Sequence, residues 1–384
     1  VTLARQTFRF VDHVEFAKPA IIEQFLQPWR RTGQQRFGYL YGRYEPYSNV
    51  PLGIKAVVEA IYLPFQKGDG DWVEPLNVLE GVQGVSEQVA GAAKSLGLEQ
   101  VGMIWTDLVD DGQGQGKVLA KRHAASWFLS GQEAIFCAKM QSMRRRSDGF
   151  GSRFITCIIT GNGQGEVDIA AYQVSNEAEA MVEADLVAAS VNPNLLRVQQ
   201  ESPTRYVPEV FYTLINDYKL KERKAARPTF PVEYWLVNVS HGFPSVPNPT
   251  FQAPQGLDVE DTTVTASDDV MRIKRHLRTI GFTDQSPWTL IADFGLYVSI
   301  ARTNLLSQQE CDMLAQVVTN RQPELWDRLV RSPGWQTLFA VLDMSTAPPN
   351  KVTAAQPRTW ACRHCTFENT GNNDSCDVCG LPQQ

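Results

Sequence analysis

Four cysteines near the C-terminus constrain this chain more than any other feature. The segment WACRHCTFENTGNNDSCDVCGLP (360–382) spaces Cys362 and Cys365 as C-x2-C and repeats that spacing at Cys376 and Cys379 after ten intervening residues. A segment of about 25 residues cannot bury enough apolar surface to fold by itself. Two such knuckles can instead place four thiolates around one tetrahedral Zn2+, and the metal then supplies the folding free energy. With every position filled by protein, such a site is closed and structural, with no place for a catalytic water. Coincidental cysteines or two disulfides are the competing reading, which the spacing disfavours. His364 adjoins a ligand position, but four sulfurs already complete the shell.

The rest of the chain reads as an ordinary globular sequence. Its 384 residues suggest about two to three domains. A net charge of −6 and a pI near 5.5 argue against a dedicated nucleic-acid binder, which would carry a basic field. The basic cluster Arg144–Arg146 sits in MRRRSDGFGS and reads as a solvated loop. No apolar run of about 18 residues is present, so no transmembrane helix or membrane insertion is expected. The N-terminus VTLARQTFRFVDHV has neither an initiator Met nor the apolar core of a signal peptide, and reads as a fragment or a processed chain. Cys137, Cys157 and Cys311 are scattered in apolar surroundings, unlike a secreted disulfide framework. A reducing compartment, cytosol or nucleus, follows.

Hydrophobic periodicity divides the chain. FGYLYGRYE (37–45) and GIKAVVEAIYLPF (53–65) read as strands. Leu79, Val82, Val85, Val89, Ala93 and Leu96 step by three, four or seven, which predicts a helix closed by Gly97. VGMIWTDL (101–108) is again a strand, with Trp105 and Asp107 on one face where it runs out into a polar loop. SGQEAIFCAKMQ (130–141) predicts a helix with a capping box of Ser130 and Glu133. RFITCIIT and EVDIAAYQV flank GNGQG as a β-hairpin. One α/β domain is therefore expected over 1–175. A second, mainly helical domain with some β structure is expected over 176–345. Its helical patterns lie at 268–280, 288–302, 307–319 and 322–342, the last broken at Ser332-Pro333-Gly334, and its aromatics are expected in the core. STAPPNKVTAAQPR reads as a linker over 346–358, ahead of the cysteine segment at 359–384. GQGQGK (112–117) has Val118 where a phosphate loop needs Ser or Thr, and reads as a surface loop. Cys137 lies in an apolar helical pattern and reads as a buried structural thiol.

The tail also fits W-x-C-x2-C-x3-N-x6-C-x2-C through Trp360, Cys362, Cys365, Asn369, Cys376 and Cys379. It resembles the RanBP2-type zinc finger, a small zinc ribbon, and in particular its Npl4-type ubiquitin-binding branch. That resemblance implies ubiquitin contact through Thr366, Phe367 and Val378, a small apolar patch suited to weak binding. Other branches of the finger bind single-stranded RNA. Arg363 is the one basic residue suited to that role here, and RNA binding stays as the alternative.

The first domain is similar to the MPN (Mov34/JAB) fold, whose active members are zinc isopeptidases acting on ubiquitin-like conjugates. Their pattern has a Glu three residues before Gly-x-x-x-Gly, then His-x-His-Pro at a strand end, then Ser-x-x-Asp opening a helix. Gly38 and Gly42 match the glycines, which puts Gln35 at the general-base position. Trp105 and Asp107 stand where the two His would, Leu108 replaces the Pro, and Ser130 with Glu133 stands for Ser-x-x-Asp. A Gln amide takes no proton near neutral pH, and an indole has no lone pair for a metal. The resemblance therefore implies the fold without the catalysis. An atypical zinc isopeptidase using Asp107, Glu133 and a further ligand is the competing enzyme reading.

Taken together, FGYLYGRYE, PLGIKAVVEAIY, TDLV, AYQVSNEA and YVPEVFY with the finger make the whole chain similar to the nuclear protein localization protein 4 family. The resemblance implies a non-catalytic adaptor that pairs with ubiquitin fusion degradation protein 1. Such adaptors present polyubiquitinated clients, some from the endoplasmic reticulum membrane, to the valosin-containing AAA ATPase. It implies a cytoplasmic and nuclear location, and one structural zinc. It also places a ubiquitin-like domain and a zinc-finger region ahead of residue 1.

Overall fold

The β-branched and aromatic stretches of the sequence meet in one closed sheet. The computed structural model describes residues 2–75, 83–147, 149, 151–215, 218–257, 266–283, 286–344, 359–361 and 368–370. In chain order, β1 (Thr2–Leu3) and β2 (His13–Phe16) precede α1 (Ala20–Thr32), followed by β3 (Phe37–Tyr47) and β4 (Gly53–Tyr62). The short β5 (Gln66–Gly68) and β6 (Val73–Pro75) lead to α2 (Gln83–Ser95), β7 (Glu99–Asp107) and α3 (Gly131–Ser142). Next come β8 (Ile155–Gly161), β9 (Val167–Val174), α4 (Asn176–Glu183), β10 (Val187–Ala189), β11 (Leu195–Val198), β12 (Phe211–Ile215), β13 (Lys221–Ala225), β14 (Thr229–Pro231) and β15 (Leu236–Gly242). Five helices follow: α5 (Ala266–Thr279), α6 (Phe294–Arg302), α7 (Gln308–Asn320), α8 (Pro323–Val330) and α9 (Pro333–Met344). The hairpin β16 (Thr359–Ala361) and β17 (Glu368–Thr370) ends the described structure.

The strands close in the order β15-β2-β4-β3-β7-β8-β9, with β9 returning to β15. β2 runs parallel to β4 and to β15, β7 runs parallel to β8, and the other pairs are antiparallel. The pairing of β3 with β4 shifts register between Tyr41 and Gly42. A Cβ at Gly42 would lie 1.9 Å from the Val57 carbonyl oxygen, so only glycine allows the two backbones to approach this closely.

Alternation along the strands feeds two cores. Leu40, Val101, Ile104, Cys157 and Ile159 join one core with Ile21, Ile22, Phe25 and Leu26 of α1. Burying those four helical side chains contributes about 1.5–3 kcal/mol each, as an upper estimate. Phe37, Tyr39, Met103, Trp105 and Ile158 face the other core, which continues into α2, α3 and the C-terminal helices. The expected helix before Gly97 is present as α2, with Val89, Ala93 and Leu96 buried and Gly97 at φ +70°. Leu79, Val82 and the side chain of Val85 lie outside the described residues. The hairpin over 155–174 and the capped helix at 131–142 form as expected. Cys137 is buried, and burial pushes its thiol up to about 12.

The closed sheet extends past the boundary expected near residue 175. β15 lies between β2 and β9, so residues 236–242 complete a sheet whose other strands fall within 13–174. β12 also pairs with β1 from the other end of the chain. The second region is not helical from its start: 187–242 holds six strands, and helices dominate only from 266 onward. Periodicity misleads there because the strands of 187–231 are three to five residues long, too short to show a period.

The C-terminal helices match their patterns, and Trp326, Leu329, Trp335, Leu338 and Leu342 are buried as core. Glu310 ties this layer together. Its carboxylate completes the capping box of α7 by accepting from the Ser307 N–H at 2.8 Å, and it accepts from the Gly334 N–H of α9 at 2.7 Å. Burial works against that charge, but hydrogen bonds from Ser307 and Gly334 outweigh it and hold the carboxyl down to about 2, from an ordinary 4.5. Because the folded pKa is depressed, its stabilisation is complete above about pH 4.5 and is lost as pH falls toward 2. Glu310→Gln is expected to be less stable at neutral pH and to show a flatter loss of stability between pH 5 and about pH 2. Urea denaturation across that range checks both.

Candidate functional site

The residues laid on the hydrolase pattern do come together, at the end of β7. Gln35, just before β3, is buried, and its amide makes four hydrogen bonds. The Nε2 group donates to the carbonyls of Gly70 at 2.6 Å and Leu108 at 2.7 Å. The Oε1 atom accepts from the Thr106 hydroxyl at 2.7 Å and the Leu108 N–H at 3.2 Å. An amide has two donors and two acceptor sites, so Gln35 is fully used in holding the end of β7 to the loop at residue 70. Trp105 is buried, paired in register with Phe37 of β3 and Ile158 of β8. Its indole is core, as the chemistry of the ring requires.

Asp107 is a hydrogen-bonded carboxylate. It is buried, accepting from Lys121 Nζ at 2.7 Å and from Arg122 Nε at 2.7 Å. The same Arg122 guanidinium donates through both terminal nitrogens to Glu133, at 2.9 and 2.5 Å, and to the Phe128 carbonyl at 2.8 Å. Burial opposes the arginine charge, but hydrogen bonds and charges from Glu133 and Asp107 outweigh it and raise its pKa further above the usual value. Ser130 and Glu133 form a reciprocal cap on α3, Ser130 Oγ accepting from the Glu133 N–H and Glu133 Oε2 from the Ser130 N–H. The two carboxylates laid on the pattern are therefore bridged by a guanidinium. A guanidinium supplies hydrogen bonds and charge but has no coordination position for a water.

Lys121 and Arg122 were not among the candidate residues. The available signal was the basic doublet in AKRH, within the loop between the two carboxylates. Among the described residues, no group of three or more His, Cys, Asp or Glu is placed to hold a metal ion. The loop 112–117 is exposed, spanned by a bridge between Asp110 and Val118.

Cys362, Cys365, Cys376, Cys379, Thr366, Phe367 and Val378 lie outside the described residues. The strands that flank the first knuckle are described: β16 and β17 pair antiparallel, with Trp360 opposite Asn369. The two non-cysteine positions of the finger pattern are thus register partners, and Cys362 and Cys365 lie between them in the sequence. That arrangement suits a knuckle, and four thiols are the donor set of a structural zinc.

A model of the NPL4 family matches residues 36–343, most of the chain and all of the site at the end of β7 except Gln35. The chain belongs to the NPL4 family. A second model, for the NPL4 family region proposed to bind zinc, matches residues 1–33, so the expectation that this region lies wholly ahead of residue 1 is corrected. Proteins named nuclear protein localization protein 4 are similar over most of the chain. The protein of Scheffersomyces stipitis is 41% identical over 352 residues, covering 90% of this chain and 60% of that protein. That of Yarrowia lipolytica is 41% identical over 350 residues, covering 89% and 61%. That of Saccharomyces cerevisiae is 41% identical over 360 residues, covering 90% and 61%. The chain thus spans about three-fifths of the length of these relatives.

Two substitutions probe the site. Gln35→Glu removes two donors and turns a carboxylate onto the carbonyls of Gly70 and Leu108, so it is expected to cost about 1–3 kcal/mol per lost partner. Arg122→Met leaves Asp107 with Lys121 alone and Glu133 without its buried partner, an expected loss near the lower end of about 3–5 kcal/mol. Urea titrations of both variants beside the parent chain measure these losses.

Proposed function

We propose that this chain is a non-catalytic ubiquitin-binding adaptor. In this reading it recruits polyubiquitinated proteins to the valosin-containing AAA ATPase, together with ubiquitin fusion degradation protein 1, for unfolding and degradation. The observation that carries the non-catalytic part is the Arg122 guanidinium between Asp107 and Glu133, a salt bridge where an MPN hydrolase would hold its metal. Membership of the NPL4 family supports the adaptor part. Cys362, Cys365, Cys376 and Cys379 would hold one zinc, and that metal supplies folding free energy to the finger rather than chemistry to a substrate. Thr366, Phe367 and Val378 would then form the ubiquitin contact. The location that fits is cytoplasm and nucleus, with peripheral association at the endoplasmic reticulum membrane. Among the described residues no helix is long and apolar enough to cross a membrane.

The test combines metal content, binding and turnover on one preparation. Elemental analysis is expected to give one zinc per chain, falling to none in Cys362→Ser with Cys376→Ser. Phe367→Ala is expected to keep the zinc and to weaken monoubiquitin binding at least about tenfold, the scale of losing one well-buried aromatic contact. Polyubiquitin chains incubated with the protein should stay intact. Chelator-sensitive cleavage together with a second bound metal would establish the isopeptidase reading instead. Retained ubiquitin affinity in the Phe367 variant would remove the finger from the recognition surface.

A further inference from the structure

The hairpin of β12 and β13 carries an unusual surface. Its register places Phe211, Thr213 and Ile215 opposite Ala225, Arg223 and Lys221 on one face, and Tyr212 and Leu214 opposite Lys224 and Glu222 on the other. Tyr212 is buried and Leu214 packs on the core, so the second face points inward and the first outward. The outward face of these strands has two cations, two large apolar side chains and no carboxylate. Arg223 lies over the Phe211 ring, 3.8 Å from its centroid. Beyond the strands, apolar side chains reach solvent: Ile215 is 69% exposed, Tyr218 85% and Leu220 65%. Lys219 stands between the last two and is exposed. Residues 215–225 hold four cations (Lys219, Lys221, Arg223, Lys224) against two carboxylates (Asp217, Glu222), while the whole chain has a net charge of −6.

Lysines on an edge strand discourage pairing with another chain, and β13 is such an edge. That role accounts for Lys221 and Lys224. It does not call for three apolar side chains that reach solvent within six residues. Single-stranded RNA would stack on Tyr218 and pair with the cations, but gives Ile215 and Leu220 nothing to do. A negatively charged bilayer surface uses every group. Aliphatic side chains enter the acyl boundary, a tyrosine ring sits at headgroup depth with its hydroxyl wet, and lysine and arginine stems reach lipid phosphates.

We propose that the outward face of the β12–β13 hairpin, with Tyr218, Lys219 and Leu220 beside it, forms a peripheral docking site for anionic lipid surfaces. The site is independent of the ubiquitin contact, so either can fail a test while the other passes.

Cosedimentation of the full chain with vesicles decides it. The chain is expected to pellet with vesicles of phosphatidylcholine and phosphatidylserine, not with phosphatidylcholine alone, and less as salt rises. Tyr218→Ser with Leu220→Ser is expected to weaken binding at least about tenfold. Lys219→Glu with Lys221→Glu and Arg223→Glu is expected to abolish it, at about fivefold or more per cation. The melting temperature of each variant is measured beside the parent, and Lys219→Glu with Lys221→Glu, which leaves the contact of Arg223 with the Phe211 ring intact, separates lost docking from lost folding. Failure to pellet with the anionic vesicles at low salt overturns the proposal. So does full binding by the Tyr218 and Leu220 variant, which would reduce the effect to non-specific charge attraction. If vesicles do not pellet the chain but the charge reversal removes binding to a single-stranded RNA oligonucleotide, the face belongs to RNA and the lipid site is excluded.

Discussion

Everything at the end of β7 depends on one strand supplied from far along the chain. Without β15, β2 and β9 would be edges with unpaired backbone groups, a state that invites aggregation. β15 satisfies both, running parallel to one and antiparallel to the other. Its delivery is fixed by Trp235, fully buried against Phe230, and by the bond from the Ser175 N–H to the Trp235 carbonyl at 2.8 Å. Closure removes the freedom of neighbouring strands to slide, because a slip of one residue would exchange the two cores. With β7 held between β3 and β8, Asp107 has a fixed position, and the N-terminus of α3 is packed within reach of it.

The ion cluster built on that frame is better understood as a positional device than as a source of stability. Burying charges costs several kcal/mol each before pairing, and well-packed apolar groups of similar size often do as well or better. What the cluster does is connect. Arg122 joins the end of a strand, the cap of a helix and the carbonyl of Phe128 in a single side chain. Lys121 and Arg122 together offset Asp107 and Glu133, so the centre carries balanced charge. Gln35 completes the arrangement from the other side by tying Leu108 to Gly70.

Much of this was legible in the sequence, for identifiable reasons. The capping box at Ser130 and the long helical patterns of the C-terminal half are local, so their residue types announce them. The glycines of β3 and the positions of Gln35, Trp105, Asp107 and Glu133 followed from a motif. The partners of those residues did not. Arg122 meets Asp107 and Glu133 across a loop without regular structure, where no period constrains which side chain turns inward. The neighbours of β15 are 60 or more residues away in sequence, and no local pattern encodes a closure of that kind. The short strands between 187 and 231 were hidden for the opposite reason, since three to five residues cannot display alternation.

The collective nature of the site also explains why the hydrolase pattern could not be rebuilt here one residue at a time. A glutamate at position 35 would face two carbonyl oxygens. An imidazole at position 107 would stand beside Lys121 and Arg122, two cations that disfavour its protonated form and that would themselves lose their shared carboxylate. An imidazole at position 105 would replace a buried indole and leave a cavity in the core that α2 and α3 share with the sheet. Each step costs stability alone, and a metal centre of that pattern would require all of them together with the removal of Arg122. With Asp107 and Glu133 both engaged by Arg122, the end of β7 is a cross-link between a strand end and a helix cap.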